Sequence, residues 1–339
     1  MSFEKYKIMD KVQLPSSDVK ITPITFGAWA IGGWFWGGAE ENESIKAIEA
    51  AIANGMTTID TAPVYGFGQS EEFVGKAIKG KRSKVELLTK FGLVWDRKSG
   101  HIHYEKTVDN EGNPVSLYRL GSKKNVIKEC EDCLQRLGTD YIDLFQQHWP
   151  DSSTPLEETM EALEILKDQG KIRAGGVSNY SANEMKKAEK YFKLSSNQVP
   201  YSMVNRDIED EVVPHCIANN KAIIAYSPLQ RGVLTGKITA DYKFSEGDHR
   251  PTTPFFKEPN LSRINALLDK IKPIAESKQA TLAQLVLNWT MRQPGITCVL
   301  AGARNEKQVL ENLKAAELMV SDDEFASIRK KLDQLTLEV

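Results

Sequence analysis

The chain predicts an α/β fold, a (β/α)8 or TIM barrel, and three observations predict it. Eight short β-rich runs recur along the 339 residues, longer helical patterns separate them nearly throughout, and no composition break divides the chain. Length alone favours two domains. Strict alternation of strand and helix implies a parallel sheet, which eight units close into a barrel; a doubly wound open sheet is the alternative. The expectation is one domain over residues 1–339, with an N-terminal β-hairpin and long loops on the C-terminal face.

The elements follow in order. Val12 to Ile21 reads as a hairpin plugging the bottom of the barrel. The eight strands are expected at Ile24 to Ala28, Thr57 to Asp60, Val85 to Lys90, Ile142 to Gln146, Ala174 to Ser178, Ser196 to Val199, Ala222 to Ser227 and Thr297 to Leu300. Helices are expected over 44–55, 70–80, 124–138, 155–170, 181–192, 207–220 and 281–295, several with apolar residues at i, i+3, i+4 and i+7. Ser181 to Glu184 is a capping-box pattern, and Gly55, Gly138 and Gly170 stand where left-handed C-terminal caps belong. A capped terminal helix begins at Ser321. Two insertions, Phe91 to Gly121 and Gln230 to Asn260, follow strands three and seven. As βα loops they fall on the face where barrel enzymes keep their sites.

Composition narrows the function classes. Charged residues are 27% of the chain and the formal net charge is −2, so nothing marks a nucleic-acid or polybasic membrane surface. The N-terminus, MSFEKYKIMDK, lacks the apolar stretch of a signal peptide, and no apolar run nears the roughly 20 residues that span a bilayer. A cytoplasmic protein without a membrane partner is expected. The four cysteines are too few for a disulfide framework. Cys130 and Cys133 form a CxxC, but inside an amphipathic helix and without a second pair, so helix packing is the better reading than metal. His101 and His103 have no acidic or cysteine partners at a recognised spacing, and no metal site is expected.

The reactive side chains stand at strand ends. Asp60 closes strand two, Lys90 closes strand three, His148 follows strand four, and Tyr65 lies one short turn past Asp60. Neighbouring parallel strands are about 4.8 Å apart, so these residues can converge. A buried Lys90 ammonium needs an anion, which Asp60 supplies. Lys90 beside Tyr65 is expected to lower the phenol's pKa and make it a better proton donor to a developing alkoxide. His148 can orient a carbonyl by hydrogen bonding. Taken singly, Asp60 reads equally as a turn cap, Lys90 as a solvated strand end, Tyr65 as packing and His148 as a satisfied polar group. Their shared face favours catalysis.

On these motifs the chain resembles the aldo-keto reductase superfamily over nearly its whole length. The segment from Asp60 to Glu72, DTAPVYGFGQSEE, resembles the family's Asp-Thr-Ala-x-x-Tyr-Gly signature. LLTKFG resembles its lysine strand, DYIDLFQQHWPD its histidine strand, GKIRAGGVSNY its cofactor-amide motif and AYSPLQRGVLTGK its strand-seven motif. The nearest flavour is the bacterial subgroup of inositol-operon and general-stress reductases. The resemblance implies Tyr65 as general acid, Asp60 and Lys90 tuning it, and His148 positioning the carbonyl.

It also implies a nicotinamide cofactor lying over the barrel rim, consistent with no GxGxxG after strand one. Ser178, Asn179 and Gln198 would hold the carboxamide, although Ser-Asn after a strand is by itself more often a helix cap. Tyr226 would stack on the ring. Ser227, Leu229, Arg231, Gly232 and Lys237 would follow the pyrophosphate. Gly302, Arg304, Gln308, Glu311 and Asn312 would meet the adenosine end, with Arg304 on a 2′-phosphate and Arg250 a weaker candidate. A guanidinium favours that dianion, so NADP is expected over NAD. Ala301 departs from a common proline, and Gln308 stands where some relatives have arginine.

Trp29, Trp34, Trp95 and Trp149 follow strands one, three and four and read either as pocket walls for the substrate or as loop packing. The function expected is NADPH-dependent reduction of aldehydes or ketones, sugar-like carbonyls included. Two other classes fit less of the chain. One is a cofactor-binding, redox-sensing or partner-binding subunit with slow turnover. The other is a barrel aldolase with Lys90 as Schiff base. Substrate identity and oligomeric state are not readable from the chain.

Overall fold

The computed structural model describes residues 10–339, so most of the N-terminal segment weighed above as a leader lies outside the described residues. Eight parallel strands close a barrel: β1 (Ile24–Gly27), β2 (Thr58–Asp60), β3 (Glu86–Phe91), β4 (Ile142–Gln147), β5 (Ile172–Ser178), β6 (Ser196–Pro200), β7 (Ala222–Tyr226) and β8 (Ile296–Gly302). They neighbour one another in chain order, and β8 pairs with β1. The open-sheet alternative is thereby excluded. Strand β7 stops at Tyr226, one residue short of the expected end, because Ser227 turns into left-handed backbone at φ 55°.

The helices are α1 (Glu41–Ala53), α2 (Gln69–Ile78), α3 (Lys123–Leu137), α4 (Leu156–Asp168), α5 (Ala182–Ala188), α6 (Val212–Ala218), α7 (Asn260–Glu276), α8 (Leu282–Met291), α9 (Glu306–Leu313) and α10 (Asp322–Leu332). The capping box on α5 forms as expected, Ser181 accepting from the Glu184 N–H. Helix α7 was not among the helices expected, although Leu261, Ile264, Leu268 and Ile271 carry a buried helical stripe. Helix α6 is shorter than expected, with a separate 3-10 turn at Asp207–Glu209 before it.

The hairpin also forms: Val12–Gln13 pairs antiparallel with Lys20–Ile21. Its Leu14, Val19 and Ile21 join Leu88, Leu144 and Ile224 in the apolar filling of the barrel. The Thr22 N–H donates to Oγ1 of Thr58, the first residue of β2, which places this plug at the N-terminal end. The other end is thus left for chemistry. The insertion after β3 is more ordered than a loop. Leu93–Val94, His101–Val108 and Pro114–Arg119 make a three-stranded antiparallel sheet with the last strand central. The insertion after β7 holds only short 3-10 turns, at Gln230–Thr235, Arg250–Thr252 and Pro254–Phe256. Among the described residues, no helix is long and apolar enough to cross a membrane.

Candidate active site

Four side chains meet at the C-terminal mouth. Lys90 is fully buried, and its Nζ donates to Asp60 Oδ1 at 2.7 Å, to the Thr61 carbonyl at 2.9 Å and to the Tyr65 hydroxyl oxygen at 3.1 Å. β-sheet register accounts for the convergence, since β2 pairs with β3 in parallel and Lys90 sits beside Gln146 of β4. Tyr65 reaches back over the mouth through a tight contact between loops. Gly66 has φ 69°, and a Cβ there would lie 2.0 Å from the Gly32 carbonyl oxygen, so only glycine fits. The His148 ring stands edge-on to Tyr65, centroids 5.8 Å apart. Its ring nitrogens find no hydrogen-bond partner among the described residues, which leaves them open to a carbonyl oxygen.

The electrostatics assign separate states to these groups. Burial works against the Lys90 charge, but the Asp60 carboxylate and the Tyr65 oxygen more than offset it and hold the ammonium above its ordinary pKa. Burial raises Asp60, and the contacts from Lys90 and Gln198 offset part of that rise. For Tyr65 the expected lowering is corrected. Burial raises the phenol above its usual value, and Lys90 only moderates the rise. The phenol therefore holds its proton until an acceptor develops. Burial, Lys90 and His103 together push His148 well below the ordinary imidazole range, so it is neutral at neutral pH. The aldolase alternative fails on the same geometry. A Schiff-base lysine must shed its proton, and Lys90 is held charged by three acceptors.

The residues expected around a cofactor amide lie in one network with this site. Ser178 Oγ donates to the Gln198 carbonyl, and Asn179 Nδ2 to the His148 carbonyl and to Ser178 Oγ. The Tyr226 hydroxyl donates to Asn179 Oδ1 at 2.9 Å. Asn179 itself sits at φ 61°, a strained position that asparagine tolerates. Gln198 was expected to hold the amide with Ser178 and Asn179; its Nε2 also donates to Asp60 Oδ2 at 2.8 Å, which ties it to the strand-end cluster.

The rim after β7 carries a run of left-handed backbone at Gln230, Arg231 and Gly232, with Ser227 before it and Leu229 between. Such runs turn successive N–H groups toward one side and favour anions. Arg231 is half-buried, lies 5.4 Å from the Trp29 ring and contacts His249 Nε2 at 2.8 Å. It has no carboxylate within 4 Å among the described residues. Burial lowers its pKa, a sign that its charge lacks a counterion. Lys237 is exposed just past this turn. Gly302, the last residue of β8, and Arg304 just past it are exposed, and Arg304 donates to the Gly38 carbonyl at 2.6 Å, again with no carboxylate within reach among the described residues. Gln308 accepts from the Arg304 N–H, Asn312 donates to the Gly302 carbonyl, and the Glu311 carbonyl is held by Gln284. Arg250 is corrected. Its guanidinium is bound to Asp248 at 2.6 Å and stacked on Trp36, so it is not free for a phosphate.

The four tryptophans divide. Trp29 lies 6.2 Å from Tyr65 and Trp149 follows His148, so both border the mouth. Trp34 and Trp95 pack edge-on against Phe67, and Trp34 also bonds Thr107, so they hold the wall in place. Phe67 and His249 were missed. His249 contacts the rings of Trp29, Phe35 and Trp36 from more than 200 positions away in sequence, and no local pattern points to it. Cys130 and Cys133 are buried in α3 as helix packing.

Comparison with known proteins gives a consistent result. The profile of the aldo/keto reductase family matches residues 23–333. The chain is 39% identical to the aldo-keto reductase YhdN of Bacillus subtilis over 304 residues, 89% of this chain and 87% of that one. It is 36% identical to the NADH-specific methylglyoxal reductase of Escherichia coli, covering 96% and 99%. The structure of a glycerol dehydrogenase from Gluconobacter oxydans superposes with a TM-score of 0.86 at 35% identity, over 96% of each chain.

Proposed function

This chain belongs to the aldo/keto reductase family and is a carbonyl-reducing oxidoreductase, and from that premise we propose that Tyr65 is its general acid and NADPH its preferred reductant. One observation carries the assignment. Lys90 Nζ donates into the Tyr65 oxygen at 3.1 Å from inside the barrel, while Asp60 anchors Lys90 from behind. The phenol proton is then the one left for a substrate oxygen. When it leaves, the phenolate faces a fixed ammonium, and the negative charge is stabilised where it forms. Asp60 and Gln198 keep Lys90 charged and in place. His148, neutral and open, would orient the carbonyl oxygen toward Tyr65.

The nicotinamide cofactor supplies the hydride when bound. The residues present fit such a group: two arginines, 231 and 304, stand on one rim without carboxylate partners among the described residues, beside backbone shaped for anions. Ser178, Asn179 and Gln198 would hold its amide and Tyr226 would stack on its ring. Ser227, Leu229, Arg231, Gly232 and Lys237 would take the phosphates. Gly302, Gln308, Glu311 and Asn312 would take the adenosine, and Arg304 would take a 2′-phosphate and so favour NADPH. The substrate is a small carbonyl compound walled by Trp29 and Trp149. The unpaired thiols support a cytoplasmic location. Within the family, the motifs quoted from the sequence are the support for placing the chain beside the inositol-operon and general-stress reductases.

The test is turnover of aldehydes with NADPH and with NADH by wild type and Tyr65→Phe. The variant should lose roughly 10²- to 10⁴-fold in kcat. Unchanged turnover removes Tyr65 from the mechanism. A wild type that prefers NADH, as the E. coli relative's name states for that protein, removes the cofactor assignment.

A further inference from the structure

The sheet inserted after β3 holds a cation that the proton transfer does not use. Arg119 ends its central strand, opposite Leu93, which lies three residues past Lys90. Its Nε donates to His103 Nδ1 at 3.0 Å and its Nη1 to the Pro150 carbonyl at 3.2 Å. The guanidinium lies 5.1 Å from the Trp149 ring centroid. No carboxylate comes within 4 Å of it among the described residues, whereas Arg82, Arg136 and Arg173 each hold one. Two of five donors are used, so the Nη2 edge is open. Burial and the neighbouring Arg119 charge push His103 down to about 4, so at neutral pH it accepts from Arg119 and adds no second cation.

The position connects this cation to the reaction. Trp149 follows His148, and Trp149 and Tyr65 pack on the same apolar patch of Ala62, Val64, Leu93 and Leu117. Trp149 and Tyr65 thus share one apolar patch, and Arg119 stands against the Trp149 ring with no carboxylate partner among the described residues. A planar fork in an aromatic wall matches a carboxylate. We infer that Arg119 determines specificity by receiving a carboxylate that the carbonyl substrate carries a few bonds from its reacting carbon. The inference rests on the reading of Tyr65 as the reducing site.

Two measurements test it. Succinic semialdehyde and butanal are four-carbon aldehydes that differ by a terminal carboxylate. Wild type should show a kcat/KM at least tenfold higher for the semialdehyde, expressed in KM. Arg119→Gln should bring the ratio near one, and Arg119→Lys should keep part of it. Equal kcat/KM in wild type, or a ratio that survives in Arg119→Gln, overturns the inference. The second measurement needs no turnover. Tryptophan fluorescence titrated with butyrate and with butyramide should show the anion binding at least tenfold tighter, a preference lost in Arg119→Gln. Equal binding overturns the inference. Butyrate preference without reduction of either aldehyde would refute the Tyr65 reading and leave the carboxylate site standing. Reduction of both aldehydes without preference would do the reverse.

Discussion

The strand-end cluster and the loop rim above it solve opposite problems with similar residues. In the cluster, Lys90 is fully buried and bound on three sides, and Asp60 accepts a bond on each oxygen. On the rim, Arg119, Arg231 and Arg304 are only partly covered, hold carbonyls or neutral imidazoles, and have no carboxylate partner among the described residues. A buried cation must be paired, or its desolvation destabilises the fold. A rim cation can keep its charge for a visitor. The charges of the cluster are therefore satisfied within the fold, while those of the rim are left open.

The largest test of this contrast is Lys90→Met. Removing the ammonium leaves Asp60 buried and uncompensated, at a cost of about 3–5 kcal/mol. Thermal unfolding should show the loss together with a collapse of turnover. A variant that melts like wild type would mean that the cluster is no more integral than the rim.

A second test addresses the seam between the two regions. Glu129 on α3 accepts from the Gly92 N–H at 2.8 Å, where the inserted sheet begins, and from Asn125. Burial pushes its carboxyl up to about 8. The unfolded chain loses this proton first as pH rises, so the group's contribution to stability falls between about 4.5 and 8. Glu129→Gln should remove that slope, gaining on wild type by on the order of 2 kcal/mol between pH 5 and pH 7. Denaturant titrations at several pH values read this directly. A difference that does not change with pH would mean that Glu129 titrates normally.

The smallest effect is expected on the rim. Arg304→Gln should leave stability within about 0.5 kcal/mol, as for an exposed side chain. The KM for NADPH should rise about tenfold with little change for NADH, a difference of about 1.4 kcal/mol. Steady-state kinetics with both cofactors decides it. An equal rise for both would assign Arg304 to loop packing through Gly38 rather than to the phosphate.

The barrel was legible because its signals are local. Strand and helix periods repeat eight times, and Asp60, Lys90 and His148 end or follow strands whose order fixes their neighbours. The helix α7 stripe was equally local and was overlooked. The ordered sheet between Leu93 and Arg119 was hidden for a physical reason. Its His101–Val108 strand is mostly exposed and polar, so the alternation that marks a half-buried strand is missing.

The sequence by itself determined the fold class, the family and the placement of Asp60, Tyr65, Lys90 and His148 at one barrel mouth, since each rests on spacing within one element or on motifs of a few residues. Only the tertiary structure decided the rest. It turned Gln198 toward Asp60, bound Arg250 to Asp248, brought His249 to the tryptophans after β1 and left Arg119 without a counterion. It also reversed the expected direction for Tyr65, because burial outweighed the ammonium beside it. Pairing and desolvation depend on what surrounds a group in three dimensions, and in this barrel those neighbours come from strands and loops far apart in the chain.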